Sequence, residues 1–206
     1  GPTPDAAPDL GPPPSFALVD LDAGAHHTCL ILDGQLWCWG EDVHGQLGRG
    51  ADAEAAGHDP AAIEGGPWHQ VACGRSHTCA LRDDGGVWCW GDNRQGQIGR
   101  GPGEVARTPA QVVLFEDALQ VSTQTSHTCA LVQSGRVWCW GRNREGELGQ
   151  RTNEFNGPAQ LETPTRVEGL EAVEEIAAGD GFTCALDAEG AIWCWGRNSQ
   201  GQTGSG

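Results

Sequence analysis

The chain has 206 residues and a net charge of −16 at pH 7, and every one of its 12 basic residues is arginine. That balance argues against a nucleic-acid binder, which needs a basic footprint, and against an anionic membrane surface; it favours a protein partner that is itself basic. With 32 glycines, 12 prolines and no apolar run near the roughly 18–20 residues that cross a bilayer, helix-rich and membrane-inserted classes are disfavoured as well.

Six of the prolines fall in residues 1–14 and end in Pro12-Pro13-Pro14. The segment suits an extended linker, or a strand returning to complete the last repeat, and regular structure is expected from about Phe16. The chain lacks methionine, so it is expected to be an excised piece of something longer.

From there one unit recurs four times. His27-Thr28-Cys29 precedes Trp37-Cys38-Trp39-Gly40, His77-Thr78-Cys79 precedes Trp88-Cys89-Trp90-Gly91, His127-Thr128-Cys129 precedes Trp138-Cys139-Trp140-Gly141, and Phe182-Thr183-Cys184 precedes Trp193-Cys194-Trp195-Gly196. Leu21, Val71, Val121 and Ile176 each stand eight residues before the first cysteine of their copy. A Gly-x-x-Gly follows each second tryptophan, then a variable loop and a proline-led segment: Pro60 to Ile63, Pro109 to Val112 and Pro164 to Val167. Four short strands per unit predict an all-β propeller of four-stranded antiparallel blades, at about residues 15–66, 67–117, 118–171 and 172–206.

Within each unit the two cysteines fall opposite one another across a hairpin. Pairing Cys29 with Cys38 leaves Asp33-Gly34 as a two-residue loop, the favoured type I′ sequence. The other copies carry one more residue, and the loops become Asp83-Asp84-Gly85, Gln133-Ser134-Gly135 and Ala188-Glu189-Gly190, with glycine at the left-handed third position. Counting from the turn makes each cysteine pair non-hydrogen-bonded, with Cα atoms about 4.5 Å apart, within disulfide range. Four disulfides are predicted: Cys29–Cys38, Cys79–Cys89, Cys129–Cys139 and Cys184–Cys194. Such bonds persist in oxidising compartments, so an extracellular, cell-surface or periplasmic location is expected. Both hairpin faces are apolar (Cys79, Leu81, Val87 and Cys89 on one, Ala80, Trp88 and Trp90 on the other), which places each sheet between two others.

The run Gly74-Arg75-Ser76-His77-Thr78-Cys79-Ala80-Leu81, with Trp90-Gly91 and Gly96-Gln97-Ile98-Gly99 after it, resembles the repeat of the regulator of chromosome condensation family, over about residues 16–206. The resemblance implies a propeller, usually of seven blades. Its members include a guanine-nucleotide exchange factor, an inhibitor of a beta-lactamase and a plant ultraviolet-B receptor. The receptor's Gly-Trp-Arg-His-Thr motif has Ala25, Arg75, Thr125 and Asp180 at its tryptophan position here.

No catalytic constellation, metal set or cofactor loop stands out. The repeated histidine slot accepts Phe182, which neither ligates nor moves protons, so the slot is structural. Cys73 is the ninth, unpaired thiol. Partner binding is expected on the variable loops 51–66, 101–117 and 151–171, with His58, Asp59, Glu64, Glu104, Arg107, Arg151, Glu154 and Phe155 as candidates. The expected function is a non-catalytic, disulfide-stapled interaction module outside the cytoplasm. The alternative is an exchange-factor-like regulator of a small GTPase. Four units against the usual seven leave three arrangements open: an open arc, a ring completed by self-association of two chains, and a small closed ring.

Overall fold

A computed structural model of the chain describes residues 17–50, 59–101, 103, 105–150 and 158–204. They form four antiparallel sheets, each an up-and-down meander in chain order. The first sheet is β1 (Leu18–Ala23), β2 (His27–Leu32), β3 (Gln35–Gly40) and β4 (Ala61–Ile63). The second is β5 (Trp68–Cys73), β6 (His77–Arg82), β7 (Val87–Gly91) and β8 (Ala106–Gln111). The third is β9 (Ala118–Thr123), β10 (His127–Val132), β11 (Val137–Arg142) and β12 (Gln160–Arg166). The fourth is β13 (Val173–Gly179), β14 (Phe182–Asp187) and β15 (Ile192–Gly196). The segment 1–14, with its part in closing a blade, lies outside the described residues.

The hairpins hold the cysteines in register: Cys29 faces Cys38, Cys79 faces Cys89, Cys129 faces Cys139 and Cys184 faces Cys194. Asp33 and Gly34 both take positive φ, at 49° and 76°, which is what a type I′ turn demands. In the longer turns Gly85, Gly135 and Gly190 carry the left-handed position.

The outer strands differ from the proline-led segments of the sequence. β4 does follow Pro60, but β8 and β12 begin before Pro109 and Pro164 and contain them. Pairing skips from Cys89–Ala110 to Gly91–Ala106 and from Cys139–Thr165 to Gly141–Leu161, so each proline sits in an irregularity of an edge strand. A residue without an N–H removes no ladder bond there.

The core lies between the sheets. The disulfide face of one sheet packs on the alanine–tryptophan face of the next: Cys29, Leu36, Cys38 and Leu47 against Val71, Ala80 and Trp90. The pattern repeats with Cys79, Val87, Cys89 and Ile98 against Val121, Ala130 and Trp140, and with Cys129, Val137, Cys139 and Leu148 against Ile176 and Ala185. This is why the middle sheets are apolar on both faces. On the inner side β1, β5, β9 and β13 lie side by side. Their edge N–H groups are met by side chains of the preceding sheet: Asp20 Oδ2 accepts from Val71 N, Gln70 Oε1 from Val121 N and Gln120 Oε1 from Ile176 N, each at 2.8 Å.

Candidate functional site

The repeated histidines span neighbouring sheets. His27 Nε2 lies 2.8 Å from Thr78 Oγ1, His77 Nε2 3.0 Å from Thr128 Oγ1 and His127 Nε2 3.0 Å from Thr183 Oγ1. Each threonine hydroxyl spends its one proton on a carbonyl of the preceding sheet, that of Gln46, Gln97 or Glu147. The imidazole must therefore donate from Nε2, and Nδ1 of His27 and His77 is left buried and unpartnered. Burial lowers the pKa from 6.5 to about 4 for His27 and His127 and to about 3 for His77, so all three are neutral struts at pH 7.

The four cysteine pairs are disulfide-bonded, with Cα–Cα distances of 4.1–4.2 Å. Cys73 is a buried free thiol whose Sγ donates to the Asp22 carbonyl at 3.6 Å. Burial, with Asp22 adding to it, pushes its pKa well up, the opposite of an activated nucleophile. The ligand atoms of His27, Cys29 and Cys73 lie within 4.8 Å of one another, but Cys29 has its sulfur committed to Cys38.

Of the loop candidates, Asp59, Glu64 and Arg107 are among the described residues. His58, Glu104, Arg151, Glu154 and Phe155 lie outside the described residues. Asp59 and Glu64 are exposed on either side of β4. Arg107, expected on a loop, is in β8, where its carbonyl accepts from Gly50 N at 2.8 Å. The outer strands absorb part of each variable segment: Asp59 and Glu64 flank that of the first sheet, and Arg107 lies in that of the second.

A further set of residues converges. The loops between the first and second strands of three sheets, and those after β3 and β7, line a groove of about 460 Å³. The first sheet contributes His26, Glu41 and His44; the second Arg75, Ser76, Asp92, Arg94 and Gln95; the third Thr125 and Ser126. Backbone bonds clasp the two kinds of loop together, Glu41 N to His26 O and Asp92 N to Ser76 O, both at 2.8 Å. Asp92 is tied by Arg94, through Nε at 2.8 Å and Nη2 at 2.9 Å. Glu41 Oε2 accepts from Gln46 Nε2 at 3.1 Å. Arg75 is exposed, and its guanidinium has no partner among the described residues. Beyond the groove Thr125 Oγ1 donates to Asp180 Oδ1, and Arg197 engages the other oxygen of that carboxylate, Oδ2, at 3.2 Å.

Guanidinium, imidazole, hydroxyl and carboxylate groups side by side suit hydrogen bonding to a polar chain. Sequence reading missed this groove because its residues come from different repeats. The signal was present: the positions just before each His-Thr and just after each Trp-Gly vary, while the motif around them does not.

The comparisons agree with this architecture. The model of the RCC1-like domain matches residues 3–206. The chain is 35% identical over 194 residues to human probable E3 ubiquitin-protein ligase HERC3, covering 92% of this chain and 18% of that protein. It is 32% identical over 193 residues to mouse E3 ubiquitin-protein ligase HERC2, covering 90% of this chain and 4% of that one. Among solved structures, Prp20p of Saccharomyces cerevisiae superposes with a TM-score of 0.79 at 23% identity, over 94% of this chain and 48% of that one. Human WBSCR16 does so with a TM-score of 0.78 at 24% identity, over 88% and 47%. The ectodomain of the Physcomitrella patens receptor kinase CR4 has a TM-score of 0.59 at 22% identity, over 93% and 45%. The chain thus spans about half of the solved propellers it matches and a small part of the curated relatives. With four sheets of the same plan and a family model matched from end to end, the chain belongs to the RCC1-like domain family.

Proposed function

We propose that the chain is a non-catalytic protein-interaction module working outside the cytoplasm, docking a polar segment of a partner in the groove around Arg75. The observation that carries this reading is the groove itself: variable side chains of three repeats, held on sheets that each carry a buried disulfide. Loops on a rigid repeat scaffold are the usual place for binding. The net charge of −16 favours a basic partner at long range, and the free guanidinium of Arg75 favours an acceptor at the point of contact. Four disulfides support an oxidising compartment. Self-association to complete a ring is part of the same reading.

The rival is an exchange-factor-like regulator of a small GTPase. Prp20p binds Gsp1p and histones, but a likeness of 23% identity speaks for the fold alone. Titrating denatured, unreduced protein separates the two readings: one thiol supports the extracytoplasmic module, and nine sink it. A pull-down from the native secretome, run with wild type and with Arg75→Glu, tests the groove. Loss of the partner with the variant supports it, and unchanged capture removes it.

A further inference from the structure

The loop that joins the second sheet to the third departs from its counterparts. Ile63, Val112 and Val167, each 2–3% exposed, are the last core residues of their outer segments. After them the first and third loops continue with Glu64-Gly65 and Glu168-Gly169, but the second continues with Val113-Leu114-Phe115. Leu170, three residues before Val173, is 6% exposed and belongs to the third core cluster. Phe115, three residues before Ala118, is 82% exposed, with Leu114 packed against the second cluster instead. Val113 is 75% exposed and Leu119, just past the loop, 54%. Large apolar side chains gathered at a surface with polar residues around them mark an interaction site.

Phe115 rests on Trp138 of the third sheet, with ring centroids 5.8 Å apart and planes at 47°. The second sheet holds a matching pair, Trp68 and Trp88, with centroids 6.5 Å apart. Trp88 and Trp138 stand at the same position, one residue before the second cysteine of their repeats. In the second sheet the Arg82 guanidinium covers both rings, 6.0 Å from Trp68 and 5.4 Å from Trp88, and its Nε lies 4.0 Å from Asp84. In the third sheet the place of Arg82 is taken by Val132, paired with Ala118 as Arg82 is with Trp68, and Val132 is fully buried. Among the described residues no cation lies over the Phe115–Trp138 pair.

The ground beside that pair is acidic. Clefts of about 270 and 540 Å³ meet along Asp84, Gly85 and Asp117; Phe115 lines the first and Leu119 the second. Arg136 lies 3.6 Å from Glu116 but is shared with Glu171 at 3.8 Å. The Asp117 carboxylate is exposed and has no partner among the described residues.

We propose that this surface receives an arginine of a partner protein. Its guanidinium stacks on the open face of Phe115 and pairs with Glu116 and Asp117, while an apolar neighbour on the partner covers Val113. The chain builds the same arrangement once for itself, with Arg82 over two rings beside Asp84. A planar, weakly hydrated guanidinium serves ring and carboxylate together, which an ammonium does less well. The net charge of −16 favours the approach of such a partner. The surface shares no lining residue with the groove around Arg75, and the proposal does not depend on that reading.

The test pans a random-peptide display library on wild type after depletion on Phe115→Ser, and measures the selected peptides by fluorescence polarisation. Phe115 is exposed, so the variant is expected to fold, which near-ultraviolet circular dichroism checks. Selected peptides should share an arginine next to an apolar residue and bind Phe115→Ser at least about tenfold more weakly. The Glu116→Gln/Asp117→Asn double variant should also lose about tenfold, and added salt should weaken binding to wild type. Lysine in place of the peptide's arginine should cost about threefold or more. A library that yields no binder, binders without arginine, lysine as good as arginine, or binding indifferent to the two carboxylates each overturns the proposal.

Discussion

His77 donates from Nε2 to Thr128 Oγ1 at 3.0 Å across the boundary between the second and third sheets, and does so as a neutral ring. Charging it would place a cation among buried apolar atoms and the other histidines.

Acid sensitivity follows. Burial holds His27 and His127 at about 4 and His77 at about 3, against 6.5 for an exposed imidazole. Between those values the unfolded chain binds more protons than the folded one, so stability is complete above pH 6.5 and falls as the pH drops. Urea midpoints should decline from about pH 6.5 to 5, above most carboxylate titration. Replacing all three histidines by phenylalanine should flatten that decline.

The slot itself is hydrophobic in character, because Phe182 fills it in the fourth sheet. His127→Phe should cost about 1 kcal/mol, since Thr183 keeps its bond to the Glu147 carbonyl. His127→Ala, which leaves a cavity, should cost about 2–4 kcal/mol. Thermal or urea denaturation of the pair of variants measures the difference.

Gly99 makes room for Trp140 and also holds φ at +70°, so alanine there meets both a clash and a left-handed backbone. Gly204 has the same φ of +70° with open space around it. Gly99→Ala should lose about 2 kcal/mol or more and Gly204→Ala about 1 kcal/mol, read from urea midpoints.

The four disulfides should not be equally resistant. Six of the eight cysteines are fully buried, but Cys184 and Cys194 are half-buried on the open face. Timed reduction with alkylation and mass mapping should open Cys184–Cys194 first. Removing the buried Cys79–Cys89 pair should cost about 2–3 kcal/mol from loop entropy. Cys73→Ala should cost about 1 kcal/mol or less, because Ala23 and Ala178 fill the matching positions.

What was legible follows from the range of each interaction. The hairpins were readable because cysteine spacing and turn chemistry are local, and a two-residue period assigns faces. The meander of each sheet followed from the repeat. The place of Pro109 and Pro164 inside strands was not readable, since edge-strand irregularities hide the missing donor. The junctions were half-readable: Thr, Trp and Gly recur visibly, but their bonds run between copies, and nothing local shows that a hydroxyl and an indole share one carbonyl. The groove depends on juxtaposing His44, Arg75 and Thr125 from three sheets, which only the packing of those sheets determines.

The side chains that meet the inner-strand N–H groups all point one way along the chain. Asp20 serves Val71, Gln70 serves Val121, and Gln120 serves Ile176. The carbonyls of Gln46, Gln97 and Glu147 likewise serve the sheet that follows. Each sheet is therefore a template for its successor, and the order in which templates are laid down is the order in which a ribosome or a secretion channel releases the chain. A blade emerging last finds the acceptors for its inner-strand N–H, hydroxyl and indole groups already in position, whereas His27, His77 and His127 meet their threonine partners only once the next sheet has been made.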